Sequence, residues 1–500
     1  MVDACKPMRT SQEYLEHLRK MKTNVRMDGK PINRDHLLFK PALNCVFSTL
    51  ELPRDPKNAD LMTATSHITG KKINRYLHIH QNPYDLQMKQ KMIRTNCRLA
   101  GGCMQRCMGM DALNAVSVAT YEMDQALGCK YHQTFLEYMK NYQVNEWIGN
   151  CAQTDMKGDR KARPHQQIDP DAYVRVVERR KDGIVVRGCK ICIGIAPITE
   201  ELIVVPTRAL TKEEDDWAVS FAIPADTEGV IILARSRAPK DRKTVKAPIA
   251  ETGDTLGMVI FDDVLVPWER VFMCGAHKGE WEFGGRLALL FALNHRHSYC
   301  GCKPAMVDII VGAAALAAEY NGIEKSKHIE MKLAEMVSVA ELTFAAGVAS
   351  GVYGKVTPSG TCTPNPVYAN IGRRHAGENI YSEDKGLAEI AGGIPATLPM
   401  EGDFLDEYTG PLIKKYMKRA AHISSDDQER LWRLIADLTS SDYTGLLQYA
   451  HLHGGGSPVM EAIALLKEYD LEERKNIARY LAGIRSEPIE SWKGAERKSL

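Results

Sequence analysis

No run of the chain approaches the roughly 20 uninterrupted apolar residues that a bilayer-spanning helix requires. The longest candidate, Asp308–Tyr320 (DIIVGAAALAAEY), is short, Ala-rich and internal, which predicts a buried helix. The N-terminus (MVDACKPMRTSQEYLEHLRK) has no apolar h-region and so no secretory signal. Charge of one sign is missing too: 65 Lys and Arg face 63 Asp and Glu, a formal charge of +2. That balance gives no electrostatic reason to expect nucleic acid or an anionic membrane as partner. No GxGxxG follows a strand-like run, so a Rossmann cofactor site is not expected. Internal repeats and low-complexity segments are absent. These absences predict a cytoplasmic protein that engages neither nucleic acid nor membrane.

What is there begins with size. Five hundred residues exceed one ordinary core and predict two or three packed regions. With 44% hydrophobic and 26% charged residues the composition is globular. Thirteen cysteines in a reducing compartment, where structural disulfides are disfavoured, must be buried thiols, metal ligands or reactive groups.

Residues 1–150 read as helix, with apolar residues at three- and four-residue spacing in Ser11–Met21, Asp85–Leu99, Ala112–Leu127 and Gln133–Tyr142. From 151 to 280 short Val- and Ile-rich runs punctuated by Gly, Pro and Asp predict strands: Tyr173–Glu178, Gly183–Arg187, Leu202–Pro206, Ala218–Ile223, Val230–Ala234 and Met258–Phe261. From 281 to 500 helical patterns return in Arg286–His295, Pro304–Tyr320, Glu330–Ala349, Asp426–Ala436 and Pro458–Leu466. The expectation is an α+β chain: an N-terminal helical domain (1–150), a central β-domain (151–280) and a C-terminal helical bundle (281–500). This order is similar to that of flavin enzymes of the acyl-CoA dehydrogenase type.

Two segments concentrate soft metal ligands. In GGCMQRCMGMD (101–111), Cys103 and Cys107 are four apart, which on a helix places both thiols on one face. In HRHSYCGCK (295–303), the glycine and aromatic between His295 and Cys302 predict a chain that leaves the helix and bends back. Each half alone reads more readily as buried small residues, since free cysteine is among the most buried types. Cys189 and Cys192 lie in a strand-like run whose spacing points their sulfurs to opposite faces. Cys300 is a spare thiol nearby, and His297, His451 and His453 show no partner in the sequence.

Taken with KPALNCV (40–46), TGKKINR (69–75), CMQRCMGMDALNAV (103–116), TDMKGDR (154–160), DGIVVRG (182–188), AGGIPATLPMEGDF (391–404) and HGGGSP (453–458), these segments identify a resemblance over nearly the whole chain. It resembles the 4-hydroxybutyryl-CoA dehydratases (vinylacetyl-CoA isomerases), a branch of the 4-hydroxyphenylacetate 3-hydroxylase family. The resemblance implies a [4Fe–4S] cluster held by Cys103, Cys107, His295 and Cys302. It also implies FAD against the central domain, bound by Gln153, Thr154, Asp155, Lys157, Asp159 and Arg160 with Gly392 and Gly393 nearby. The implied activity is a redox-neutral dehydration of a hydroxyacyl-CoA thioester, the hydro-lyase reaction from 4-hydroxybutyryl-CoA to crotonyl-CoA. In it flavin exchanges one electron and an iron acts as Lewis acid. His295 would be ligand and base, Tyr299 and Lys303 would line the substrate side, and Gln105 and Arg106 would complete the pocket. A homotetramer with flavin near subunit contacts is implied as well.

Three positions depart from the dehydratase pattern. A hydroxyl residue expected beside the flavin is Gly194, and two glutamates fall on Leu256 and Ala450, with Asp254 and His451 the nearest titratable substitutes. These departures predict a paralogue, with another acyl-CoA substrate or another proton route. The competing readings are an FAD-dependent aromatic hydroxylase of the same family, which would lack the three cysteines, and a non-catalytic protein with structural zinc. Structural zinc is poorly matched by the Cys-x3-Cys and His-x6-Cys spacings.

Overall fold

The computed structural model describes residues 8–237, 239–244 and 251–484. The first residues of the expected N-terminal domain (1–7) and the last of the C-terminal one (485–500) lie outside these. The chain forms helices, then strands, then helices, an α+β architecture in the expected order.

The N-terminal helices are Ser11–Lys20, Lys40–Glu51, Pro83–Ala100, Cys107–Leu127 and Tyr131–Asn145. The first opens on a capping box, in which Thr10 and Glu13 satisfy each other's backbone N–H groups. Six strands form one sheet in the order Lys30–Pro31, Val25–Met27, Val230–Arg235, Leu256–Pro267, Gly183–Gly194, Arg175–Arg179. Four more, Val271–Met273, Ser220–Pro224, Glu201–Val204 and Gly149–Ala152, form a second. Val25–Met27 joins the first sheet parallel to Val230–Arg235, with Val25 opposite Ile232, so the N-terminal region contributes a strand to the central layer. One apolar core spans both sheets and the N-terminal helices, and a second lies within the C-terminal helices.

The C-terminal half is organised by a 41-residue helix, Trp281–Asn321. It replaces the two helices and intervening bend that the sequence predicts around His295–Pro304. Proline breaks helices because it has no N–H for the carbonyl four residues back. Here the orphaned Cys300 carbonyl accepts from Gln90 Nε2 at 3.1 Å instead, and the helix continues through Pro304. Gly301 permits the approach that makes this bond: a Cβ there would lie 2.8 Å from the Gln90 carbonyl oxygen.

Trp281–Asn321 and Lys327–Val352 are both long and apolar enough to cross a membrane by length and composition, which uninterrupted apolar runs do not reveal. The apolar window of the first is 67% buried in the protein and that of the second 28%, so the longer helix is a core element here.

Candidate metal and flavin site

The helix Pro83–Ala100 ends on Gly101 in the left-handed region (φ 73°), whose N–H returns to the Cys97 carbonyl. The chain then loops through 102–106, with Gln105 also left-handed (φ 56°), before the helix Cys107–Leu127 begins. Cys103 therefore sits in the loop and Cys107 on the first helical residue, not together on one helical face as the spacing suggests. The αL glycine stops the first helix too early for that. Gly102 keeps the loop tight: a Cβ there would lie 2.4 Å from Thr252 Cγ2.

His295 and Cys302 share the long helix. Seven residues are close to two turns at 3.6 residues per turn, so the two side chains emerge on one face without any bend. This face meets the loop and the start of the Cys107 helix. Cys103 is hydrogen-bonded to both Cys302 and Cys97, while ligand atoms of Cys107, Asp111 and His295 lie within 4.8 Å of one another. Cys97, Cys107, Cys302 and Tyr299 share a small apolar core with Met92, Ile93, Met104 and Met110. The hydrogen bond to Cys103, with burial, raises the Cys97 and Cys302 thiols well above the ordinary range. Burial and Asp111 do the same to Cys107. Hydrogen bonds from Cys302 and Cys97 hold the Cys103 thiol well below it. Three thiols and an imidazole facing one water-poor space form a donor set suited to iron or zinc. Cys97, a fourth thiol in the group, is not distinguishable by sequence. Asp111 was discoverable, since it follows Cys107 by four residues on one helix.

Cys300 faces away, its sulfur 3.3 Å from the Arg296 carbonyl. Cys189 is buried and Cys192 exposed, and a bulge between Lys190 and Ile193, where Cys192 is left-handed, interrupts the alternation that the spacing assumes. His451 is buried against the cysteines, and burial together with Lys303 lowers its pKa to about 3 despite Cys103. Asp254 is buried, raised by that burial, paired with Arg237, and close enough to Cys103 to feel its charge. Both titratable substitutes thus converge on Cys103.

Tyr299 donates its hydroxyl to the His451 carbonyl at 3.0 Å, and the Arg373 guanidinium covers its ring at 4.2 Å. Arg373 also donates to the carbonyls of His451 (2.6 Å) and Gly454 (2.7 Å), pinning the glycine loop beside His295. Lys303 is buried in an ion pair with Glu383, whose carboxyl burial pushes up to about 7. Gln105 Oε1 accepts from the Ile195 N–H at 3.2 Å and, with Met108, fills the space above Gly194. Leu256 lies directly across the sheet from Gly194. Arg106 does not line this space: it points into the core, donating to Thr49 Oγ1 at 2.8 Å.

In the stretch expected to hold flavin, Asp155 is buried and already committed, to Lys190 at 2.8 Å and to the Val174 N–H at 3.0 Å. The Gln153 carbonyl accepts from Lys190 Nζ, and its amide donates to the Ala288 carbonyl. The Asp159 carboxylate accepts from the Lys161 N–H. Among the described residues no hydrogen bond or ion pair engages the side chains of Thr154, Lys157 or Arg160. Two uncommitted cations beside a hydroxyl suit the phosphates of a nucleotide. Gly392 and Gly393 follow the helix Ile380–Ala391, with open space around both. No hydrogen bond or ion pair joins them to 153–160 among the described residues.

Comparison with known proteins matches residues 10–273 to the N-terminal region, and 285–483 to the C-terminal region, of the 4-hydroxyphenylacetate 3-hydroxylase family. The chain is 37% identical over 491 residues to 4-hydroxybutyryl-CoA dehydratase/vinylacetyl-CoA-Δ-isomerase of Clostridium aminobutyricum, covering 95% of this chain and 99% of that one. It is 28% identical to the oxygenase component of 4-hydroxyphenylacetate 3-monooxygenase of Thermus thermophilus, covering 94% and 96%. Among solved structures, an oxygen-tolerant archaeal 4-hydroxybutyryl-CoA dehydratase from N. maritimus superposes with a TM-score of 0.91 at 34% identity, covering 97% of each chain.

Proposed function

The chain belongs to the 4-hydroxyphenylacetate 3-hydroxylase family, and from this we propose that it is a hydro-lyase, a hydroxyacyl-CoA dehydratase of the 4-hydroxybutyryl-CoA type with vinylacetyl-CoA isomerase activity. The observation that carries the reading is the convergence of Cys103, Cys107, Cys302 and His295 from two distant segments on one buried locus. The 37% identity to a dehydratase supports it. These four residues would hold a [4Fe–4S] cluster, and Thr154, Lys157 and Arg160 would take the phosphates of FAD, with Gln153, Asp155 and Asp159 shaping that stretch. When bound, these groups supply a Lewis-acidic iron for the leaving hydroxyl and a one-electron exchange partner for the acyl chain.

The chain's own residues do the rest. Burial and the nearby Lys303 keep the His451 imidazole neutral, so it faces the thiols as an uncharged hydrogen-bonding ring. Tyr299 and Arg373 hold His451 in place through its carbonyl. Lys303 and Glu383 put a buried proton-holding pair on the same side, and Gln105 closes the wall toward Gly194. The apolar core around the thiols excludes water from the reacting thioester. Gly194, Leu256 and Ala450 reshape the acyl end, so the preferred thioester is to be found by screening beyond 4-hydroxybutyryl-CoA. We place the enzyme in the cytoplasm as a homotetramer in which another copy brings Gly392 and Gly393 to the flavin stretch.

Anaerobic purification with iron, sulfide, zinc and flavin determination tests the reading. About four irons and one FAD per chain are expected, and His295→Ala should weaken the cluster and abolish turnover. Flavin without iron would turn the assignment to an aromatic hydroxylase. Zinc without flavin would make the site structural.

A further inference from the structure

Behind His295 stands a fully buried set of charges that the dehydratase reading does not use. Asp111 lies one turn beyond Cys107 on the same helix and has no exposure to solvent. Its Oδ1 is 2.7 Å from Lys89 Nζ and accepts from Ser298 Oγ at 2.8 Å. Its Oδ2 is 3.1 Å from His295 Nδ1. Lys89, also fully buried, donates in addition to the carbonyl of Asn294 at 3.0 Å, the residue before His295.

A carboxylate buried this deeply is tolerated only when paired and hydrogen-bonded, and the Lys89 ammonium pairs it. An ionised carboxylate only accepts hydrogen bonds, so the His295 nitrogen facing it must be the protonated one. Nδ1–H is thereby fixed, and Nε2 is left with the lone pair. A partner of this kind sets ring orientation and tautomer and raises the donor strength of a ligating imidazole.

The geometry points to Asp111, clamped by Lys89 and Ser298, as the positioning residue that selects Nε2 of His295 for the metal and sets how tightly that imidazole binds. The inference rests on His295 being a cluster ligand. Three donors on two carboxylate oxygens leave Asp111 little capacity to be a ligand itself, although its oxygen lies within 4.8 Å of the Cys107 sulfur and a His295 nitrogen. A consequence follows for proton transfer. With Nδ1–H given to Asp111 and Nε2 engaged, His295 has no lone pair left while it is a ligand. The base in the ligated state is then another group.

The test uses the anaerobically purified holoenzyme with 15N-labelled histidine and compares wild type, Asp111→Asn and His295→Ala. Asp111→Asn is expected to retain the cluster but lose iron to a chelator roughly 10- to 100-fold more readily. Its midpoint potential and nitrogen hyperfine coupling should shift, with apo-protein melting changed far less than iron retention. Unchanged chelator resistance, potential and hyperfine coupling in Asp111→Asn would overturn the inference. Iron loss as complete as in His295→Ala would make Asp111 a ligand and overturn it too. If Asp111→Asn fails to fold, Lys89→Gln/Asp111→Asn removes both buried charges together and is read in the same way. Failure of the underlying reading looks different: wild type then shows no histidine nitrogen coupling, and His295→Ala matches it in potential.

Discussion

Cys300 and Cys302 stand two residues apart on one helix, about 200° around its axis, and meet different surroundings. Cys302 turns to Cys103. Cys300 turns to a seam where the sites of added Cβ atoms at Gly347 and Gly372 lie 2.5 Å from its Cβ and 2.6 Å from its sulfur. Removing the Cys300 thiol leaves a small void, so Cys300→Ala should cost about 1 kcal/mol of stability with iron per chain unchanged. Cys302→Ala should lose most of its iron. Parallel iron assays and denaturant titrations decide it, and equal iron loss in both variants would undo the assignment of Cys302. The four ligand candidates were legible because their types and spacings repeat a family pattern. Cys97 was not: it meets Cys103 only because the 101–106 loop folds back over the helix end, and no spacing encodes that.

Elements were read where pattern and chemistry agree. The strand runs between 173 and 261 alternate or cluster β-branched residues, and each forms a strand, although Gly183–Gly194 and Leu256–Pro267 run well past the expected ends at Arg187 and Phe261. Gly149–Ala152 was missed because Gly, Asn, Cys and Ala carry little strand preference, and Val25–Met27 because three residues pair with a strand about 200 positions away. The break expected before Pro304 failed for a reason outside the local sequence: Gln90, on another helix, supplies the hydrogen bond that proline cannot. Gln90 Nε2 also serves the Phe344 carbonyl at 2.7 Å, and Gln90→Leu should cost about 2 kcal/mol by leaving the buried Cys300 carbonyl unpaired. Pro304→Ala restores an N–H for Cys300 and should recover part of that loss. A double-mutant cycle by chemical denaturation is expected to show coupling of at least about 0.5 kcal/mol. Strict additivity would mean that Gln90 is not what carries the helix past the proline.

The two proposed cofactors place different demands on the whole molecule. Every proposed cluster ligand lies in one chain, and contacts between its N-terminal loop and its long helix bring them together. The residues proposed for flavin are split, with 153–160 in the central layer and 392–393 beyond a C-terminal helix, and no hydrogen bond or ion pair among the described residues joins them. The helix Lys327–Val352 meanwhile leaves Met331 62% and Leu342 58% exposed, an apolar surface suited to a second copy. Leu342→Glu would bury an unpaired charge in such a contact, at a cost of several kcal/mol. If the proposed tetramer forms through this face, light scattering should then show smaller species, and FAD per chain should fall with it while iron per chain stays at the wild-type value. Iron lost together with flavin would mean that the cluster also depends on the partner copy. Flavin retained on a dissociated chain would confine its site to one subunit and remove Gly392 and Gly393 from it.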